Sequence, residues 1–165
     1  MLRNYIKNIP DFPIKGISFK DISPLIADHW SSVLSDMSTL ISKKSVQADY
    51  FIGVESRGFL FASGLAAHCN KGVIMCRKPG KLPPPHVNQS YTTEYSKDEL
   101  YIKEGSGKVI IVDDVLATGG TIQATNKLCK KAGYEVIDNI VLIDLLSVPR
   151  VKDFDIKVKS LIQYE

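Results

Sequence analysis

The chain has 165 residues, 24% of them charged and 44% hydrophobic, which excludes a disordered or fibrous protein and is one domain's worth of sequence, enough to bury a core without disulfide staples. Its formal charge of +3 is small and evenly spread, so a nucleic-acid-binding stripe is excluded while small polyanions remain open as ligands. No run approaches the roughly 18 apolar residues of a membrane span, Met1-Leu-Arg-Asn opens no signal peptide, and neither Cys69, Cys76 and Cys129 nor His29, His68 and His86 have metal-ligand spacing, so a reduced, cytoplasmic protein without structural zinc or membrane contact is expected.

In chain order, Asp28 reads as an N-cap before a helical stripe of Trp30, Val33, Leu34, Met37, Leu40 and Ile41. Tyr50 to Val54 reads as a buried strand. Glu55-Ser-Arg-Gly58 then turns into an apolar helix through Leu60, Phe61, Leu65 and Ala66, ending near Asn70 and Gly72, and Val73 to Cys76 returns as a second strand. Pro79, Gly80, Pro83, Pro84 and Pro85 exclude regular structure. Beyond them Ser90 to Tyr95 and Asp98 to Ile102 flank Ser96-Lys97 as a hairpin that, hung from the Pro-rich segment, reads as a mobile lid. Val109 to Val112 is a third strand, Thr121 to Ala132 a helix closed by Gly133, Ile137 to Leu146 a fourth strand and Ile156 to Ile162 a short last one. Strands alternating with helices predict one α/β domain over residues 1–165, a mainly parallel sheet with helices on both faces.

The most informative stretch is Val109-Ile-Ile-Val-Asp-Asp-Val-Leu-Ala-Thr-Gly-Gly-Thr121, where a buried strand runs into two carboxylates, a small-residue turn and a helix. At the C-terminal end of a parallel strand such a turn exposes N–H groups that favour a phosphate, and Asp113 and Asp114 are placed to hold hydroxyls or a hydrated cation beside it. Taken singly, each feature also fits an ordinary turn or helix cap. Two other phosphate motifs fail: Gly105-Ser-Gly-Lys108 has Ile102 where a Walker loop needs its first glycine and Val109 where it needs Ser or Thr, and no G-x-G-x-x-G occurs.

Across those thirteen positions the chain resembles the phosphoribosyl-pyrophosphate (PRPP) signature of the type I phosphoribosyltransferases. Further segments in the same order resemble the adenine phosphoribosyltransferases of that family: Phe12 to Pro24, Glu55-Ser-Arg-Gly-Phe-Leu-Phe61, Arg77-Lys-Pro-Gly-Lys-Leu-Pro83, Tyr91-Thr-Thr-Glu-Tyr95 and the closing Ser160 to Glu165. The resemblance implies the family's twisted, mainly parallel sheet flanked by helices, with a small N-terminal and hairpin hood. It implies Mg²⁺-dependent transfer of ribose-5-phosphate from PRPP to N9 of adenine, giving AMP and pyrophosphate through an oxocarbenium-like transition state, in a homodimer.

The resemblance also assigns residues. Ala117, Thr118, Gly119, Gly120 and Thr121 wrap the 5′-phosphate, and Asp113 and Asp114 address the ribose hydroxyls and, through PRPP and water, Mg²⁺. Glu55 and Ser56, joined by a non-proline cis peptide, Arg57, Lys78 and Lys81 serve pyrophosphate. Phe19 stacks on the base, with backbone near Ser18 and Lys20 reading its edge, and Glu94 closes over the purine and handles its proton. Without the resemblance, Arg57 reads equally as an exposed helix-start cation, Arg77, Lys78 and Lys81 as a solvated loop, Glu94 as a solvated carboxylate and Phe19 as core. Lys20 stands where relatives carry Arg, which bears on base specificity; Pro79 stands where they carry a basic residue and Pro84 where they carry Gly, which points to a stiffer lid. The alternatives are the same transfer to a 6-oxo purine, with Lys20 as donor, or a PRPP-binding regulator without catalysis.

Overall fold

The computed structural model describes residues 2–43, 45–92 and 97–165. Its centre is a five-stranded, all-parallel sheet of β3 (Tyr50–Val54), β4 (Gly72–Cys76), β7 (Gly107–Leu116), β8 (Tyr134–Leu145) and β9 (Lys159–Tyr164), in the spatial order β4-β3-β7-β8-β9. Two antiparallel hairpins lie outside it: β1 (Lys7–Pro10) with β2 (Ser18–Asp21), and β5 (Val87–Thr92) with β6 (Lys97–Ile102). The N-terminal hairpin had no strand signal of its own in the sequence.

The sheet is buried on both faces. Helices α1 (Ser23–Ser38) and α2 (Gly58–His68) cover one, packing on Phe51, Ile110, Val112, Ile140 and Leu142. Helix α3 (Gly120–Ala132) and the β5–β6 hairpin cover the other, packing on Ile52, Val54, Ile111 and Val141. Because successive strand residues face opposite sides, the unbroken apolar runs in β3, β7 and β8 supply both cores at once. Burial of one such Ile or Phe side chain contributes about 1.5–3 kcal/mol.

Several boundaries moved. Helix α1 begins at Ser23, not after Asp28: Pro24 lies in the first turn, and Asp21 Oδ1 accepts the Ser23 N–H at 2.9 Å. The helix breaks at His29 (φ −131°, ψ 22°), immediately after the expected cap, and ends at Ser38, so Leu40 and Ile41 pack on the core from beyond it. Strand β7 runs on to Leu116, so Asp113 and Asp114 belong to the strand and not to the turn. Lys97 pairs with Thr92 in the hairpin ladder instead of turning it, and residues 93–96, including Glu94, lie outside the described residues. The hairpin base is no loose lid, since Leu100 and Ile102 are fully buried and Lys131 Nζ donates to the Asn88 carbonyl at 2.9 Å.

Strand order fixes where a ligand fits. From β3 the chain crosses to β4 on one side and then to β7 on the other, so the connections diverge between β3 and β7 and leave a crevice at their C-terminal ends. The ladder pairs Gly53 with Val112, which sets Glu55–Arg57 beside Asp113 and Asp114. Gly58 lets the start of α2 close on β7: a Cβ there would lie 2.9 Å from both Asp113 Oδ1 and the Val112 carbonyl. Gly58→Ala is therefore expected to cost about 1–3 kcal/mol by overpacking, read as a lower midpoint in urea unfolding; an unchanged midpoint would show that the two elements have room to spare.

Candidate active site

Two strand ends supply the charged groups. Consecutive residues of β7 point to opposite sides, so its two carboxylates diverge. Asp113 Oδ1 accepts the Asp114 N–H at 2.9 Å, and burial, followed by the neighbouring Asp114 charge, pushes the Asp113 carboxyl well above the ordinary carboxylate range. Asp114 turns toward Arg57, whose Nε lies 2.6 Å from Oδ2. The N–H is not aimed along that contact, and Asp114 Oδ2 is buried without a hydrogen-bond partner among the described residues. A buried, half-satisfied carboxylate is costly unless something completes it.

Glu55 follows β3 across a non-proline cis peptide to Ser56. Its Oε2 accepts from Arg77 Nε at 3.1 Å and from the Lys78 amide at 2.8 Å, and its Oε1 from Lys81 Nζ at 2.9 Å. Burial pushes the carboxyl up, but the Lys78 amide, Lys81 and Arg77 outweigh it and hold the value at about 2 against an ordinary 4.5. The expected pyrophosphate cations are thus already paired: Lys81 with Glu55, Arg57 with Asp114, and Lys78 with Asp98 of β6. The Tyr91 hydroxyl donates to Asp98 Oδ2 at 3.2 Å, and its ring packs on the cluster that contains Ile122 of α3.

That turn, residues 117–121, ends β7 and begins α3. Gly119 adopts φ +84° at the helix N-cap, and no side chain caps the helix. The Gly120 N–H only leans on Thr118 Oγ1 at 3.4 Å, so among the described residues the first amides of α3 are left short of partners.

The hood residues divide between two sides. Phe19 meets Phe12 edge-on at 5.1 Å, and the Arg57 guanidinium lies 4.9 Å from its ring centre, so it belongs to the crevice and not to the core. Ser18 and Lys20 face the other way, both bonded to Asn8 Oδ1, and Lys20 Nζ also lies 4.3 Å over the Tyr164 ring. Lys20 Nζ is therefore held by Asn8 and Tyr164 and not loose in solvent, with donors to spare. A cleft of about 600 Å³ runs between Ser18, Lys20 and the Ala117–Thr118 turn, floored by Leu145 and Tyr164.

Sequence reasoning missed Asp144 and Arg150. Arg150 pairs with Asp144 and donates to the Ala117 carbonyl. The signal was present: an acidic residue at the end of the apolar run Ile140 to Ile143 needs a cation, and Arg150 is the first one downstream.

A phosphoribosyl transferase domain model matches residues 29–165. The chain belongs to the phosphoribosyl transferase family. Within it the chain stands among the adenine phosphoribosyltransferases. That of Hydrogenovibrio crunogenus is 47% identical over 166 residues, covering 99% of this chain and 96% of its own. The crystal structure of the Thermoanaerobacter pseudethanolicus enzyme superposes with a TM-score of 0.89 at 37% identity, covering 99% of this chain and 98% of that one. The Saccharomyces cerevisiae enzyme, complexed with an imino-altritol bisphosphate and adenine, gives 0.83 at 29% identity, with 97% and 96% covered.

Since the folded Glu55 value lies below the ordinary one, its ion pairs contribute stability above about pH 4.5 that is lost as pH falls toward about 2. Urea midpoints taken from about pH 6 down to about pH 3 are expected to fall less steeply for Glu55→Gln than for the wild type. Parallel profiles would show that another carboxyl carries the acid sensitivity.

Proposed function

We propose that this crevice transfers ribose-5-phosphate from PRPP to N9 of adenine, releasing pyrophosphate and recovering the free base as AMP. The observation that carries the residue assignment is Asp114 Oδ2, buried, 2.6 Å from Arg57 and short of a hydrogen bond, beside an uncapped helix start. A sugar diol completes such a carboxylate, and a phosphate completes such a helix. The adenine and bisphosphate held by the yeast relative support the same reading.

The C1′–O bond to pyrophosphate breaks ahead of N9 attack, so positive charge develops on the ribose and catalysis is chiefly positioning and electrostatics. Residues 117–121 anchor the 5′-phosphate, and Asp113 and Asp114 hold the ribose hydroxyls near the developing cation. Arg57, Lys78 and Lys81 receive the departing pyrophosphate, with the backbone of Glu55 and Ser56 alongside, and remote phosphate binding keeps the reacting carbon in place. Phe19 stacks on the base, which the backbone of Ser18 and Lys20 reads. Glu94, outside the described residues, handles the purine proton on the strength of the family resemblance.

The donor set fits Mg²⁺ held through PRPP and water: hard carboxylate oxygens of Asp113 and Asp114 are at hand, one of them short of a hydrogen bond, while among the described residues no three His, Cys, Asp or Glu side chains gather into a cage. Bound there, the ion would neutralise charge on the pyrophosphate. Leu60, Val73 and Met75, at 46%, 37% and 46% exposure on the β4 edge and the helix beside it, are apolar surface suited to a second copy of the chain in a homodimer. Among the described residues no helix is long and apolar enough to cross a membrane, and we assign the single domain of residues 1–165 to the cytoplasm.

Mixing the protein with PRPP, Mg²⁺ and adenine, hypoxanthine, guanine or xanthine in turn is expected to yield AMP and little other nucleotide; equal turnover of a 6-oxo purine would overturn the base assignment. Changing Asp113 and Asp114 together to Asn is expected to lower kcat/KM by 100-fold or more, about 3 kcal/mol of transition-state stabilisation. Near-normal turnover would remove both from ribose recognition.

A further inference from the structure

A turn that grips phosphate through its amides must place its carbonyls elsewhere. Each peptide unit of this turn is planar and trans, so its C=O and N–H point in opposite directions, and a carbonyl turned inward needs a donor. One segment after β8 supplies them. Arg150 Nη1 donates to the Ala117 carbonyl, and the Val151 amide donates to the Thr118 carbonyl at 2.8 Å. Those two bonds orient the peptides whose opposite ends are the Thr118 and Gly119 N–H groups. Phe154 closes the turn from the side: a Cβ on Gly119 would meet its ring at 2.6 Å. The Gln123 side chain ties the same segment to α3 through the Asp153 carbonyl at 3.2 Å.

Arg150 is itself fixed. Its Nη2 meets Asp144 Oδ1, and Nη1 also donates to the carbonyls of Leu145 at 3.0 Å and Val148 at 3.2 Å. Asp144 is 8% exposed and stands opposite Leu116 in the β7–β8 ladder, one residue before the turn. A buried carboxylate at the end of an apolar strand is tolerated when paired and hydrogen-bonded. The planar guanidinium meets the carboxylate through Nη2 while the two N–H bonds of Nη1 are shared among three carbonyls; a lysine ammonium has three donors and no fork.

We propose that Arg150, held by Asp144, is a positioning residue for the transfer: it fixes the tilt of the Ala117–Thr118 and Thr118–Gly119 peptides, and so sets the affinity of the turn for the 5′-phosphate without touching the ligand. This rests on reading residues 117–121 as the 5′-phosphate site. AMP carries that phosphate and adenosine lacks it, so the difference between their affinities isolates the effect.

Titration calorimetry with AMP and adenosine, together with steady-state kinetics, tests it. Arg150→Ala is expected to weaken AMP binding and raise the KM for PRPP on the order of 10- to 100-fold, with adenosine affinity and kcat at saturating PRPP close to wild type. Free guanidinium at millimolar concentration should restore part of the AMP affinity in that variant and none in the wild type. Arg150→Lys and Asp144→Asn, which retain bulk and hydrogen-bonding capacity, should show smaller losses of the same kind, and they carry the test if Arg150→Ala does not fold. AMP affinity unchanged in a folded variant, or AMP and adenosine weakened equally with no rescue, would overturn the role of Arg150 alone. A wild-type protein that binds adenosine as tightly as AMP would overturn the phosphate reading as well.

Discussion

The pairing of β3 with β7 is the constraint from which the site follows. These neighbouring parallel strands are the pair at which the connections diverge, so no crossover fills the space beyond their ends. Both are buried on both faces, and a slip of one residue would exchange the side chains of the two cores. The register therefore cannot drift, and it brings the segment after one strand level with the carboxylates at the end of the other. The close approach at Gly58 and the Arg57–Asp114 contact are local expressions of that fixed alignment.

Electrostatics within the crevice are nearly closed. Arg57 is matched to Asp114, Arg77 and Lys81 to Glu55, and Lys78 to Asp98. Apart from the Glu55 cluster, whose carboxyl stays low even after desolvation, ion pairs of this kind contribute little net stability, so their value lies in placement. Each keeps a cation near the crevice in a defined pose, and on the proposed reading an entering anion would take it over from a carboxylate instead of recruiting it from solvent. Asp114 differs, because its contact with Arg57 leaves an oxygen unbonded.

Much of this was legible beforehand because the strongest signals are periodic or conformational. The apolar runs of β3, β7 and β8 have few alternatives, and Gly119 and Gly133 do adopt positive φ at the two ends of α3. Two of the misplaced boundaries share one cause: a polar residue looks like the limit of an element that tertiary contacts carry further. Asp28 looks like a cap although Pro24 and Asp21 start the helix before it, and Asp113 looks like a strand end although its neighbours continue the ladder. The side on which Ser18 and Lys20 lie, and the hold of Arg150 on Ala117, depend on residues distant in the chain, and only the folded arrangement brings them together.

The β1–β2 hairpin shares no strand with the main sheet. Phe19 rides on this small independent piece, whereas the paired aspartates and the signature turn belong to the rigid body of the fold. On the proposed assignment of residues, recognition of the base and grip on the sugar phosphate therefore fall on separate modules. A lineage, or a protein engineer, can rewrite the first while leaving the second intact.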